Sequence, residues 1–445
     1  MLDNLPEPTC QVPPEPVPVQ FQGYIDERSQ YHVTGWLRNL ADLTERVPYQ
    51  VRLPDTGEVL ASGVASALMP AMRGWEGDDG LHGFYARFSR PVSPAEQATL
   101  AVQPPAGPPL GVSSRLVEDF APCIYIIMDV VDNCNLRCPF CIYDYSKTFK
   151  TNMMTQETFD AVVRLAGKVT VGNFWFSCLH EPTLHPRFMD YIEQVPGQYR
   201  DRIFFTSNLA KRMPETFFNR LAASGVHHVN VSIESRDPAV YERMRKGARH
   251  RIFQENWDRL VKAFKDASAP PMLRYISLAY KSNLRELPDL VEHLLNERAG
   301  VQIEIRATYD FWHIGQTFRQ SEYLDQAEWQ WLRDRLAGFS KEQLALELPR
   351  DLDNPDFDAA LAASLADGRA GAEPEAVGVP ASFINSPPPG YLPGRYGLRV
   401  FWDGQVAVQR VWGDPTAPPG PEIVMAETNI REITDLDAFF CGLPS

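Results

Sequence analysis

The chain of 445 residues contains no uninterrupted apolar run approaching the ~20 residues that cross a bilayer, which argues against a helical membrane span. It also lacks a surplus of positive charge: 43 Lys and Arg stand against 57 Asp and Glu, a formal charge of −14. A basic face for a phosphate backbone or an anionic membrane is therefore missing, and nucleic acid is not an expected partner. The start, Met1 to Gln20, lacks the basic flank and apolar core of a secretory signal, so the expected location is cytoplasmic. Cysteines are scarce and uneven: of seven, three fall within eight residues. That odd, clustered set speaks against a disulfide framework and for a metal site in a reducing compartment. What remains is globular, with 44% apolar and 22% charged residues. At about 150 residues per domain, roughly three units are expected.

A proline-rich leader covers residues 1–18. Between 19 and 104, apolar and polar positions alternate in short runs, as in Tyr31-His-Val-Thr-Gly-Trp-Leu37, Tyr49-Gln-Val-Arg-Leu53 and Gly83-Phe-Tyr-Ala-Arg-Phe88, with Pro54-Asp-Thr-Gly57 as a turn. This period of two predicts an all-β sandwich. Gly23-Tyr-Ile-Asp26, Val33-Thr-Gly-Trp36, Gly57-Glu-Val-Leu-Ala-Ser-Gly63 and His82-Gly-Phe84 resemble a sandwich module found beside bacterial glycosyltransferases. A generic sandwich for docking or dimerisation fits the same residues. Pro104-Pro-Ala-Gly-Pro-Pro109 leads into a linker assigned to 105–120.

From Ile124 the pattern changes to apolar β-rich runs followed by amphipathic helices, which predicts an α/β fold with a parallel sheet. Six strands are expected: 124–131, 173–178, 203–207, 228–233, 273–279 and 301–307, giving a partial (β/α)6 barrel over 121–320. The first helix is expected to be capped by Thr155, to carry Glu157 in its first turn, to bury Phe159, Val162, Val163 and Ala166, and to end at Gly167. In such folds the loops after the carboxyl ends of the strands form the active face.

One of those loops carries Cys134-Asn-Leu-Arg-Cys138-Pro-Phe-Cys141, directly after the first expected strand. Thiolates on one short loop can converge on a soft metal centre, and three ligands rather than four leave a coordination position open. A zinc site or reduced core cysteines are the alternatives.

This CxxxCxxC spacing, with Phe140 before the last cysteine and a βα pattern behind it, resembles the radical S-adenosylmethionine (SAM) superfamily. The resemblance implies one [4Fe–4S] cluster on Cys134, Cys138 and Cys141, SAM on its fourth iron, and a 5′-deoxyadenosyl radical. It implies cofactor-binding roles for Phe140 and for Glu181 and Pro182, the latter two in a Leu179-His180-Glu181-Pro182 segment similar to the family's GGEP motif. There Leu179 and His180 replace two glycines, leaving His180 as a substrate contact or a plain loop histidine. Asn208 of Thr206-Ser207-Asn208, and Ser232 and Glu234 at the fourth strand end, match positions near the SAM ribose. Arg245, ahead of Arg243 and Arg306, matches the arginine that meets the SAM carboxylate.

Residues 321–395 read as a helical segment and connector, and 396–445 as a small C-terminal α+β cap. Within the cap, Leu398-Arg-Val-Phe-Trp402, Asp403-Gly404 and Gln405-Val-Ala-Val-Gln409 form an expected hairpin, and 429–440 an expected helix. The cap resembles SPASM or twitch extensions, yet with Cys441 as its one cysteine it has no auxiliary-cluster ligand set. Cys178 and Cys441 are candidate catalytic hydrogen donors, with burial as small apolar side chains the competing role. Three functions compete at this point: a radical enzyme for a small-molecule substrate such as a sugar-linked metabolite; a maturase of a ribosomally made peptide; and a zinc-stabilised binding protein. Either enzymatic reading implies an electron donor such as flavodoxin or ferredoxin, and leaves epimerisation, dehydrogenation, rearrangement and methylation open.

Overall fold

Short alternating runs build the N-terminal part. The computed structural model describes residues 20–69, 72, 78–117, 123–169, 174–176, 180–298, 300–307, 313–349, 352–366, 391–412 and 422–442. The leader 1–18 lies outside the described residues. The first strands are β1 (Phe21–Arg28), β2 (His32–Asn39), β3 (Pro48–Arg52), β4 (Val59–Val64), β5 (Gly83–Arg87), β6 (Ala101–Gln103) and β7 (Gly111–Val117). They form a four-stranded sheet of order β5-β2-β1-β7 and a three-stranded sheet of order β4-β3-β6. Ile25, Val33 and Leu37 of the first and Val51, Leu60 and Val102 of the second share one apolar cluster. β7 falls inside the stretch expected as a linker. It is a strand because it pairs in parallel with β1, with Tyr24 opposite Gly111, and so covers an edge that would otherwise stand unpaired.

The remaining strands are β8 (Cys123–Met128), β9 (Phe174–Phe176), β10 (Ile203–Ser207), β11 (His228–Ser232), β12 (Met272–Leu278), β13 (Gln302–Arg306), β14 (Leu344–Glu347), β15 (Tyr391–Val400), β16 (Gln405–Trp412) and β17 (Glu422–Asn429). All ten belong to one sheet of order β14-β13-β12-β11-β10-β9-β8-β15-β16-β17. β8 through β14 pair in parallel, as right-handed βα units require. The six expected strands are present at or near their expected positions, and β14 adds a seventh beyond β13.

The C-terminal hairpin is not a separate cap. β15 pairs in parallel with β8, Leu398 opposite Ile126 and Val400 opposite Met128, so the hairpin continues the barrel sheet and satisfies the open edge of β8. The stretch expected as one helix over 429–440 divides into the end of β17, a 3₁₀ turn Ile430–Glu432 and a helix Leu436–Gly442.

Helices bury one stripe against this sheet. In the helix His250–Asp266, Phe253, Trp257, Leu260 and Phe264 recur at three- and four-residue spacing inside the main apolar cluster. The helix Gln156–Arg164 is capped by Thr155, whose hydroxyl accepts the Thr158 N–H. Its C-cap is Leu165, not Gly167. Gly167 sits in the 3₁₀ turn Ala166–Lys168, with the Tyr199 hydroxyl oxygen 2.8 Å from where a Cβ would stand. Among the described residues no helix is long and apolar enough to cross a membrane.

One buried ion pair joins the hairpin to the barrel mouth. Arg399 on β15 donates its Nε–H to Asp129 Oδ2 at 2.7 Å, just past the end of β8, with side chains 7% and 1% exposed. Arg399→Met takes the guanidinium away from a buried carboxylate and is expected to lower the unfolding free energy in urea by about 3–5 kcal/mol, with Asp129→Asn in the same chain recovering part of the loss.

Candidate functional site

The loop after β8 carries all three clustered cysteines, and each is a free, half-buried thiol. Backbone bonds give the loop its shape. Cys141 N–H donates to Cys138 O at 3.1 Å, and Arg137 N–H to Lys246 O at 2.8 Å. Asn133 Oδ1 accepts the Cys134 N–H at 2.8 Å, and the Arg137 guanidinium reaches the carbonyls of Cys134, Leu136 and Thr148 at 2.6, 2.8 and 3.2 Å. Across from the loop, Gly247 takes φ +99°, in the left-handed region, and a Cβ there would meet Asn135 O at 3.5 Å. The loop is thus held from behind by the turn 245–247.

The sulfurs sit among N–H donors. Cys134 Sγ accepts from Leu136 N at 3.4 Å and from Asn208 Nδ2 at 3.4 Å, and Cys141 Sγ accepts from Tyr143 N at 3.5 Å. Burial, then the Glu181 charge, pushes the Cys134 thiol up to about 12; burial alone leads for Cys138, also pushed up to about 12, and for Cys141, which is raised. Such thiols ionise at neutral pH only when a metal's charge is present. Three thiolates on one loop suit a soft metal centre, and as three protein ligands rather than four they fit an iron–sulfur cluster with one open position better than a closed structural zinc site.

Glu181 and Pro182 lie on the neighbouring loop. Pro182 opens a 3₁₀ turn, Pro182–Leu184, and Glu181 is its cap. The Glu181 side chain is buried and accepts four bonds: Thr183 N at 3.3 Å, Thr183 Oγ1 at 2.6 Å, Ser207 Oγ at 2.9 Å and Asn208 N at 2.8 Å. Burial raises its pKa, and these donors oppose the rise. Its backbone N–H reaches Asn133 O at 3.1 Å, beside Cys134. The carboxylate therefore ties the loop after β9 to the end of β10, and Asn208 passes the link on to the Cys134 sulfur.

Glu234 and Arg245, given separate tasks by sequence reasoning, are partners. The guanidinium meets the carboxylate in a bidentate pair, Nη2 to Oε1 at 2.5 Å with Nε to Oε2, and the Glu234 side chain is fully buried. Arg245 also lies over the Phe140 ring at 5.6 Å. Phe140 packs with Tyr280 and Phe318, ring centroids 5.2 and 6.1 Å away. Arg243 is exposed in the last turn of the helix Pro238–Met244. Ser232 is buried at the end of β11. Arg306 pairs at 3.0 Å with Glu304 on its own strand, away from the cysteine loop's partners.

His180 is buried where the related motif has glycine. Its Nδ1 lies 2.8 Å from the Tyr145 hydroxyl and its Nε2 3.9 Å from Asp129 Oδ2. Cys178 lies outside the described residues; Cys441 belongs to the helix Leu436–Gly442, with its side chain outside them. Sequence reasoning missed Asn133, Tyr145, Ser207, Arg399 and His313, whose Nε2 is 2.8 Å from Cys141 O. Asn133 and Tyr145 had a signal, their closeness in sequence to the cysteines; Arg399 and His313 had none.

Burial, then the nearby Arg399 charge, pushes His180 down to about 4. Its unfolded value is about 6.5, so the unfolded chain binds the extra proton between those limits and stability falls as pH drops from 6.5 to 4. In metal-free protein, His180→Gln is expected to remove about 3 kcal/mol of that acid loss, read from urea midpoints at both ends of the range.

Comparison with known proteins bears on this geometry. A family model described as the radical SAM superfamily matches residues 128–294, from the last residue of β8 into the helix after β12. Among curated relatives, a probable GTP 3′,8-cyclase of Methanocaldococcus jannaschii is 26% identical over 177 residues, covering 40% of this chain and 56% of that protein. A tungsten-containing aldehyde ferredoxin oxidoreductase cofactor-modifying protein of Pyrococcus furiosus is 25% identical over 174 residues, 39% of this chain and 48% of that one. The chain thus spans about half the length of these relatives. Streptococcus suis SuiB bound to its precursor peptide SuiA is a similar solved structure, with TM-score 0.47, 11% identity, and coverage of 73% of this chain and 66% of that chain. The match covers the cysteine loop, the Glu181 loop and the Glu234–Arg245 pair alike: residues 128–294 are a radical SAM domain, of the superfamily that uses a [4Fe–4S] cluster and SAM.

Proposed function

We propose that the chain is a radical SAM enzyme in which Cys134, Cys138 and Cys141 hold one [4Fe–4S] cluster and hydrogen is taken from a carbon of a small, sugar-bearing substrate. One observation carries this reading: three free, half-buried thiols on a single loop at the carboxyl end of a parallel strand, with N–H donors directed at two of the sulfurs. Cys134, Cys138 and Cys141 would hold the cluster and leave one of its positions open to SAM. Such a cluster would supply the one-electron reduction that cleaves SAM and so gives the radical that takes the hydrogen.

The chain's own residues position and enclose. N–H donors on Leu136, Tyr143 and Asn208 stabilise negative charge on the sulfurs. Glu181 and Arg245 act as positioning residues, because their charged groups already hold Thr183, Ser207, Asn208 and Glu234 in place. Phe140, Tyr280 and Phe318 provide an apolar wall beside Cys138 that excludes water. Ser232 at the end of β11 is left to face the ribose, and His180 with Tyr145 to face the substrate. The sugar-bearing substrate is supported by the resemblance of the sequence runs within residues 23–84 to a module beside glycosyltransferases. It is also supported by relatives named for GTP, a molecule that contains a ribose.

Air-free reconstitution tests the reading. The native chain is expected to bind iron and sulfide, turn brown and release 5′-deoxyadenosine on reduction. Serine in place of Cys134, Cys138 or Cys141 should abolish iron binding and lower 5′-deoxyadenosine formation by more than about a hundredfold. Zinc in place of iron, or iron retained by all three variants, defeats the cofactor assignment. Ring-deuterated nucleotide sugars should pass deuterium into 5′-deoxyadenosine; transfer from a labelled peptide instead shifts the substrate to a ribosomally made peptide and leaves the cofactor assignment standing.

A further inference from the structure

The chain is acidic overall, at −14, yet the surface around the cysteine loop is not. Residues 133–153 carry Arg137, Lys147 and Lys150 against Asp144 alone, and 243–251 carry five Lys and Arg with no acid. Of those five, Arg245 pairs with Glu234 and Arg251 with Glu255, which leaves Arg243, Lys246 and Arg249. Among the described residues no carboxylate within 4.0 Å pairs with Arg137, Lys147, Lys150, Arg243, Lys246 or Arg249, and all six are exposed. They share one neighbourhood, since Arg137 bonds Thr148 O through its guanidinium and Lys246 O through its backbone.

The same stretch exposes large apolar side chains. Phe149 is 91% exposed, between Lys147 and Lys150, and Tyr143 and Met153 are 36% and 39% exposed. What marks the stretch is the grouping: three exposed apolar side chains within eleven residues, rimmed by unpaired cations, as contact surfaces are built.

We infer that this rim, centred on Phe149 with Lys147, Lys150, Lys246 and Arg137 around it, is the docking surface for an acidic one-electron carrier protein that reduces the cluster. The inference rests on the cluster assignment proposed above. Two constraints select this occupant. Reductive cleavage consumes one electron per event, which passes from the reduced carrier to the oxidised cluster, so the donor must approach the loop that holds the cysteines. An acidic carrier is repelled by most of a chain of this charge and attracted here, which fixes orientation and raises the encounter rate without a tight complex. A small contact with a few unpaired charges and one exposed ring suits short-lived electron-transfer partners.

The test uses the full-length reconstituted protein and a reduced flavodoxin of net negative charge. The readout is bleaching of the cluster's visible band in stopped flow, with dithionite as a small reductant that needs no docking surface. Lys147→Glu, Lys150→Glu and Lys246→Glu combined are expected to slow reduction by flavodoxin about tenfold or more at low salt, while the dithionite rate stays within about twofold. The native rate with flavodoxin should fall steeply from about 0.05 M to about 0.5 M ionic strength, and that dependence should flatten in the variant. Phe149→Ala, which alters no charge, should weaken association of oxidised flavodoxin, read by flavin fluorescence, with its salt dependence intact.

A flavodoxin rate that ignores the three reversals overturns the docking surface and leaves the cluster assignment intact. So does a native dimer in sedimentation that the reversals disperse, which gives the face to a second copy. A chain with no band that dithionite can bleach overturns the cluster assignment, and this inference with it.

Discussion

A loop that offers three thiols to a cluster must be held still from several sides, and here that is achieved by two buried carboxylates. Glu181 collects four donors from Thr183, Ser207 and Asn208, and its own N–H holds Asn133. Glu234 takes both arms of Arg245, whose neighbour Lys246 gives its carbonyl to Arg137 inside the cysteine loop. Each carboxylate would be prohibitively costly to bury alone; with donors in place it becomes a fixed point. The parallel sheet makes this possible, because it delivers the ends of β8, β9, β10 and β11 to one face where loops distant in sequence can share a charge.

The strand positions were largely legible. β10 is legible at its observed bounds, and β11, β12 and β13 within a residue or so, because a short apolar run rich in β-formers followed by an amphipathic helix has few other solutions. β14 was hidden: four residues, Leu344–Glu347, set among charged neighbours, offer too short an alternation to register. The hairpin was readable as a hairpin, from Asp403-Gly404 between alternating runs, but its place beside β8 was not. A strand's pattern shows which face is buried and says nothing about which edge it will meet.

The site divides in the same way. The cysteines announce themselves because ligand spacing is a local property. The Glu234–Arg245 pair does not, since the helix Pro238–Met244 intervenes and only its tight return through Arg245 and Gly247 brings the guanidinium back. Motif resemblance assigned the two residues to different parts of one cofactor, whereas their strongest partner in the fold is each other.

The C-terminal hairpin changes meaning once its pairing is known. As a separate cap it would matter chiefly for covering the mouth of the barrel. As a continuation of the sheet beside β8, it is fixed in register, Arg399 opposite Ile127, and its arginine arrives at Asp129 only two residues along the chain from that pairing. The guanidinium then lies close enough to His180 to help keep the imidazole neutral. What the hairpin contributes is a buried positive charge, and with it the electrostatic setting of the His180–Tyr145 pair at the barrel mouth.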